Sequence, residues 1–242
     1  MIKLAIVGYG KMGKEIESLM DPNKFELVGR YDIKNPVQNN LDVIPDVAIE
    51  FSTPTTVYNN LEFLASKGIN IVCGTTGWYD KIRILKSIIE KYDTGFIYAG
   101  NFSIGVNLFL SMINNAVCIL NKFSDYDIAI EEIHHNQKLD RPSATALKAA
   151  EIIIKSLDRK TGINKNGAVE TASPELIDIS SLRVGKAVGK HKVIIDGVSD
   201  SIILEHTAKS RRGFAEGALL AAEFIYDKKG FYKFEDEFKN LI

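Results

Sequence analysis

The chain has 242 residues, 45% of them apolar and 25% charged, a composition that fills a proper core in one large or two modest domains. Thirty Lys plus Arg stand against 31 Asp plus Glu, a formal net charge of −1, so nothing at whole-chain level favours nucleic acid or a membrane surface as partner, and a small molecule is expected instead. The two cysteines, Cys73 and Cys118, lie inside apolar runs, which argues against a disulfide framework or a zinc cluster and fits a reducing cytoplasm. No apolar run approaches the roughly 20 residues that a membrane helix needs. The opening MIKLAIVGYG reads as a strand running into glycines rather than as a signal peptide.

In chain order, short apolar runs at Ile2–Val7, Phe25–Tyr31, Asp46–Phe51, Ile69–Cys73 and Phe96–Ala99 predict strands. Helical spacing fills most of the gaps, at Lys14–Met20, Val57–Lys67 and Tyr79–Lys91. That alternation predicts an α/β, doubly wound, mostly parallel sheet of Rossmann-like type. After Asn101 the rhythm changes. A long helix over Val106–Asn121, a strand ending at Ile133, a helix near Ser143–Leu157 and strands near Ile179–Val184, Lys190–Ile195 and Ser201–Thr207 predict a second α+β domain with a mixed or antiparallel sheet. The last segment returns to helical spacing through Phe214, Ala218, Leu219, Ala222 and Ile225, a helix able to pack back on the first domain. The expected division is 1–103 with 210–242, and 104–209.

Between the first strand and helix stands GYGKMG, with Gly8, Gly10 and Gly13 in G-x-G-x-x-G spacing. The spacing alone fits any tight turn. Its strand-to-helix context raises it, because glycines there permit the turn, the close approach of a pyrophosphate to backbone N–H groups and close helix packing. The same logic asks for an acidic residue on ribose hydroxyls about 20 residues on, and Asp32 lies 19 residues after Gly13. A second cluster, CGTTGW at Cys73–Trp78, follows the fourth strand. It reads equally as a cofactor loop at the carboxyl end of the sheet and as a Thr-capped turn.

The densest chemistry lies in EEIHHNQKLDRPSATALKAAE, Glu131 to Glu151. His134, His135 and Lys138 can bring a proton donor with near-neutral pKa and a fixed cation to one pocket. Ser143, Ala144 and Thr145, at the mouth of a helix, can aim free N–H groups and hydroxyls at a carboxylate. A capped helix behind a solvated loop accounts for the same pattern. No metal is expected, since adjacent histidines in a strand point to opposite faces. His191 and His206 are read as structural strand residues.

These segments carry a resemblance over nearly the whole chain. VGYGKMG, VAIEFSTP, CGTTGW, GNFSIGVN, EEIHHNQKLDRPSATAL, VGKHKVIIDG and AKSRRGFAEGAL resemble, in order, the 4-hydroxy-tetrahydrodipicolinate (dihydrodipicolinate) reductase family. The resemblance implies a cofactor domain to which the terminal helix returns, a substrate domain whose sheets build a homotetramer, and NADH or NADPH as hydride source for a cyclic dicarboxylate in the diaminopimelate and lysine pathway. It implies His134 as general acid or base, Lys138 as the cation at the reacting centre and His135 as a substrate contact. Ser143, Ala144 and Thr145 would hold a ring carboxylate. Gly8, Gly10, Lys11, Met12, Gly13 and Asp32 would line the dinucleotide, with Gly74, Thr75, Thr76, Ala99 and Phe102 at its nicotinamide end. Two departures stand out: Ala144 replaces the family's usual glycine, which matters only if that position needs positive φ, and Arg141 adds a fixed charge. Two other readings are a Rossmann dehydrogenase of an amino acid or semialdehyde, and a non-catalytic dinucleotide sensor.

Overall fold

In the computed structural model, which describes residues 1–164 and 173–241, the first sheet is built around β1 (Ile2–Val7). β1 feeds α1 (Lys11–Ser18), β2 (Phe25–Tyr31), β3 (Val47–Glu50), α2 (Val57–Ser66), β4 (Asn70–Cys73), a 3-10 turn at Tyr79–Lys81, α3 (Ile82–Lys91) and β5 (Gly95–Tyr98). The second unit follows with α4 (Ile104–Leu120), β6 (Asp127–His134), α5 (Ala144–Ser156), β7 (Gly162–Ile163), β8 (Leu176–Ile177), β9 (Ile179–Arg183), β10 (Lys190–Asp196) and β11 (Ser201–Thr207). The chain ends in α6 (Arg212–Ile225), β12 (Gly230–Lys233) and α7 (Phe234–Leu241). Residues 1–104 with 211–242 form one compact unit and residues 105–210 another.

The first unit holds a six-stranded sheet in the order β12-β5-β4-β3-β1-β2, parallel at every pairing. Its strands read as continuous apolar runs because both faces are covered. Leu4 and Ile6 of β1 pack with α1, α6 and α7, while Ala5 and Val7 pack with α2 and α3. Burying each such Leu, Ile or Val contributes about 1.5–3 kcal/mol. β2 and β3 leave β1 on opposite sides, so the crevice where ligands collect lies at the carboxyl end of β1.

The sequence reading placed the first helix at Lys14. It begins three residues earlier, because Gly10 itself is the N-cap and the glycine loop runs directly into the first turn. The expected helix from Tyr79 is a 3-10 turn followed by α3. The carboxyl-terminal segment holds more than the expected helix, since β12 adds a sixth parallel strand beside β5.

In the second unit β11-β10-β6-β9 form a mixed sheet, antiparallel except at β6–β9. Along β6, burial alternates with period two, so Ile128, Ile130, Glu132 and His134 share the covered face. Ile128 and Ile130 pack there with α4 and α5. That face carries two apolar residues and then two ionisable ones.

Candidate functional site

In the first unit the glycines of the fingerprint have three different physical reasons. Gly8 has φ +97°, and a Cβ there would lie 2.2 Å from the Phe51 carbonyl oxygen. Gly13 needs the space for helix packing, since its Cβ would lie 2.7 Å from the Gly8 oxygen. A Cβ on Gly10 would meet no protein atom within 4 Å, and no side chain caps α1. The N–H groups of that first turn therefore face open space, the arrangement that receives a phosphate.

Gly8, Gly10 and Asp32 line a cavity of about 720 Å³ together with Tyr9, Ser52 and Thr53. Asp32 Oδ1 accepts from the N–H groups of Lys34 (2.8 Å) and Asn35 (3.0 Å), which fixes the carboxylate at the rim. Beside it Arg30 is held by Glu17 through two nitrogens, and Tyr9 donates its hydroxyl to the same carboxylate. Hydrogen bonds from Arg30 and then Tyr9 pull the Glu17 pKa down to about 2.

Met12, Gly74, Thr76, Ala99 and Phe102 line a second cavity of about 340 Å³ in the same unit, with Arg211 and Phe214. Gly74 is required by the Phe51 ring, 2.2 Å from where its Cβ would be. Lys11, Gly13 and Thr75 line neither cavity. Thr75 is buried, and its carbonyl accepts from the Trp78 indole at 2.8 Å.

In the second unit β6 delivers His134 to the covered face at 8% exposure, while His135 follows the strand end and is partly exposed. The His135 carbonyl accepts from the Lys138 N–H at 3.1 Å, closing a turn. The Lys138 ammonium pairs with Asp140 at 2.8 Å, which holds the Asp140 carboxyl below its usual range. Ser143 caps α5, its Oγ accepting from the Ala146 N–H. Ala144 opens the helix and has no positive φ, so the replacement of glycine costs no backbone strain here. Ser143 is buried and already engaged. Among the described residues the N–H groups of Ala144 and Thr145, in the first turn of α5, have no intramolecular acceptor, which leaves them for an anion. Arg141 is exposed.

Sequence reasoning missed three residues around His134. Glu132, fully buried, accepts at Oε1 from Arg183 Nη2 (2.8 Å) and from the Ser143 N–H (3.3 Å). Its Oε2 lies 3.1 Å from His134 Nε2. His191, read from sequence as merely structural, stands with Nε2 3.3 Å from His134 Nε2 and 3.1 Å from Ser143 Oγ. His206 stacks beyond it, ring centroids 6.4 Å apart. The available signal was the placement of Glu132 two residues before His134 on an otherwise apolar face. Burial pushes the His134 pKa down, with Glu132 opposing and Lys138 and Arg183 assisting. Burial pushes His191 down to about 4. Glu132, His134 and His191 also form a set of possible metal ligands, their donor atoms within 4.8 Å of one another. This set differs from the adjacent pair His134 and His135, of which only His134 lies on the covered face of β6.

Comparison with known proteins gives the family. The family model for the dihydrodipicolinate reductase N-terminus matches residues 2–102, and that for the C-terminus matches residues 105–238. A 4-hydroxy-tetrahydrodipicolinate reductase of Christiangramia forsetii is 37% identical over 100% of this chain and 99% of its own length. One from Methanococcus aeolicus is 33% identical over 95% of this chain and 94% of its own. A dihydrodipicolinate reductase of Paenisporosarcina sp. TG-14, solved with dipicolinate bound, superposes with a TM-score of 0.78 at 26% identity, covering 98% of this chain and 99% of that one. An amine dehydrogenase of Mycobacterium smegmatis shares the fold alone, with a TM-score of 0.59 at 11% identity over 95% and 93% of the two chains. With two family models spanning almost its full length and relatives matched end to end, the chain belongs to the dihydrodipicolinate reductase family, the NAD(P)H-dependent oxidoreductases of diaminopimelate and lysine biosynthesis.

Proposed function

We propose that the first unit binds the dinucleotide, that the second binds the cyclic dicarboxylate, and that His134 and Lys138 manage charge as the ring is reduced. A bound nicotinamide supplies the hydride. What the chain must add is a grip on carboxylate, a proton to match the hydride, and a cation where negative charge develops. The observation that carries the assignment is the convergence at the end of β6: Glu132 contacts His134 through one oxygen and the cap of α5 through the other. In this reading Ala144 and Thr145 hold a ring carboxylate with N–H groups and the Thr hydroxyl, His135 contacts substrate, and His134 transfers the proton. The glycine loop fits a pyrophosphate because Gly10 leaves its approach open and α1 is uncapped.

NADH is expected to serve at least as well as NADPH. Asp32 at the cavity rim accepts from ribose hydroxyls and repels a 2′-phosphate, and Arg30, the cation nearest along β2, is engaged by Glu17. Homotetramer assembly and a cytoplasmic setting complete the proposal. Ile133, Ile194, Ile203 and Leu182 lie on the face of the mixed sheet turned away from α4 and α5, and Ile203 and Leu182 are about half exposed, an apolar surface suited to another copy. Among the described residues no helix is long and apolar enough to cross a membrane.

Titration with NADH and with pyridine-2,6-dicarboxylate tests the assignment of the two units. Both ligands should bind to wild type, Thr145→Val should weaken only the diacid, and Gly10→Val only NADH. A protein that binds NADH and ignores the diacid would be a sensor and would defeat the reading.

A further inference from the structure

We infer that Glu132, His134 and His191 form a binding site for a divalent transition-metal ion of the zinc class, and that the ion, once held, takes His134 out of proton transfer. The site follows from the three side chains alone. Its effect on the reaction rests on the role proposed above for His134.

Two strands supply the ligands. Glu132 and His134 share the covered face of β6, and His191 lies opposite Glu132 in β10, so all three project to the same side of the sheet. They are buried, at 0%, 8% and 5% exposure. The donor atoms converge. His134 Nε2 lies 3.1 Å from Glu132 Oε2 and 3.3 Å from His191 Nε2, and the third side of the triangle is 4.0 Å. The point equidistant from these corners is about 2 Å from each, the length of a zinc bond to imidazole or carboxylate. The imidazole centroids are 5.1 Å apart, so the rings present Nε2 to each other rather than stacking.

A hydrogen bond between the rings accounts for only part of this. One N–H placed between the two Nε2 atoms satisfies both nitrogens, yet Glu132 Oε2 is left with no hydrogen-bond partner among the described residues. A buried carboxylate oxygen in that condition is costly. Oε1 is engaged by Arg183 and Ser143, which fixes the direction of Oε2. A metal ion at the centre of the triangle meets all three atoms at once.

The chemistry of the set selects the ion. Two imidazoles and one carboxylate suit zinc, cobalt(II) or nickel(II), whereas magnesium and calcium need more oxygens than the one offered. Arg183 and Lys138 both act on His134 electrostatically, so a cation that gains no strong bonds to nitrogen is repelled. The outer contacts are uneven. The His134 ring is held by the Val188 backbone and packs on Gly189, the kind of contact that orients a ligating histidine. His191 Nδ1 has no such partner among the described residues, a lack that costs about 10–100-fold in affinity. An exchangeable ion is therefore expected, not a permanent structural one. While His134 Nε2 is bonded to metal, that atom can neither accept nor deliver a proton.

The test starts from protein stripped with EDTA, desalted and titrated with Co²⁺, whose visible absorption strengthens on four-coordinate binding and which Zn²⁺ should then displace. Wild type should take up one equivalent, and His135→Gln should match it. His191→Gln and Glu132→Gln should each bind at least about tenfold more weakly. His191→Gln leaves the Glu132–Arg183 pair intact, so it carries the measurement if Glu132→Gln fails to fold. Pyridine-2,6-dicarboxylate is kept out, because it chelates the ion itself. No stoichiometric uptake by wild type, or undiminished uptake in folded His191→Gln, overturns the site. For the effect on the reaction, protein loaded with Zn²⁺ and freed of excess should lose at least about tenfold of its first-turnover rate and regain it with EDTA. A loaded protein that keeps both its ion and its activity supports the site and instead removes His134 from the proton-transfer step.

Discussion

Glu50 and Glu132 are both 0% exposed, one at the carboxyl end of β3 in the first unit and one near the end of β6 in the second. Their surroundings differ. Glu50 meets only neutral groups, accepting from Ser52 and from Asn60 at 3.2 Å, and burial leaves its pKa raised. Glu132 is held low against its burial by hydrogen bonds from Ser143, Ser181 and the Arg183 guanidinium together. Burial raises a carboxylate's pKa, and enough hydrogen bonds with a cation among the donors reverse that. Glu50 is suited to hold the Ser52–Thr53 loop of the cofactor cavity, whereas Glu132 can stabilise a charge.

The sharpest way to break this comparison is at the side chains near Glu132. His134→Ala should reduce kcat by about 10²–10⁴ with little change in KM, the range for loss of a general acid or base. Lys138→Ala should do comparable or greater harm, and the double variant should fall well short of the product of the two losses. Steady-state kinetics showing multiplicative losses would assign the two residues to separate steps. Next in size, Thr145→Val should weaken pyridine-2,6-dicarboxylate by about 1.5–3 kcal/mol, as for a hydrogen bond to a charged group. Calorimetry should show NADH affinity unchanged.

The two carboxylates should also part company in stability against pH. Glu50, raised in the folded state, contributes fully below the unfolded carboxyl pKa, and that contribution is lost as pH rises through the folded value. Glu132, lowered in the folded state, contributes above the unfolded value and loses this as pH falls through the folded one. Glu50→Gln should therefore gain on wild type as pH rises and differ by less than about 1 kcal/mol at neutral pH. Urea melts across pH that showed the opposite slope would mean Glu50 is charged. The smallest effect is expected at the cofactor rim, where Glu17→Gln frees Arg30 and should raise kcat/KM for NADPH relative to NADH by about threefold to tenfold.

What could be read in the sequence was local. Gly8, Gly10, Gly13 and Asp32 act through a turn and the strand beside it, so their spacing carries their meaning. So do Lys138 and Thr145, which belong to the loop and helix directly after β6. Glu132, Arg183 and His191 are joined by register instead: His191 lies opposite Glu132 in the β10–β6 ladder, and Arg183 opposite His134 in β9–β6. No spacing along the chain encodes those pairings. β12 is hidden for a related reason, since the four residues Gly230–Lys233 are too few to show a period until β5 is beside them.

The position of β12 has a consequence for the order in which the molecule can be made. Residues 105–210 are contiguous and hold their own sheet and helices, so on a ribosome this segment can fold as soon as it has emerged. The first unit cannot. α6, which supplies Ala215, Ala218, Ala222 and Ile225 to one side of its core, and β12, its edge beside β5, come last in the chain. Until they arrive the nascent sheet has an open edge and an uncovered apolar face, the state in which chaperone capture or aggregation competes with folding. A truncation before Arg212 should therefore deprive the cell of the first unit while sparing the second.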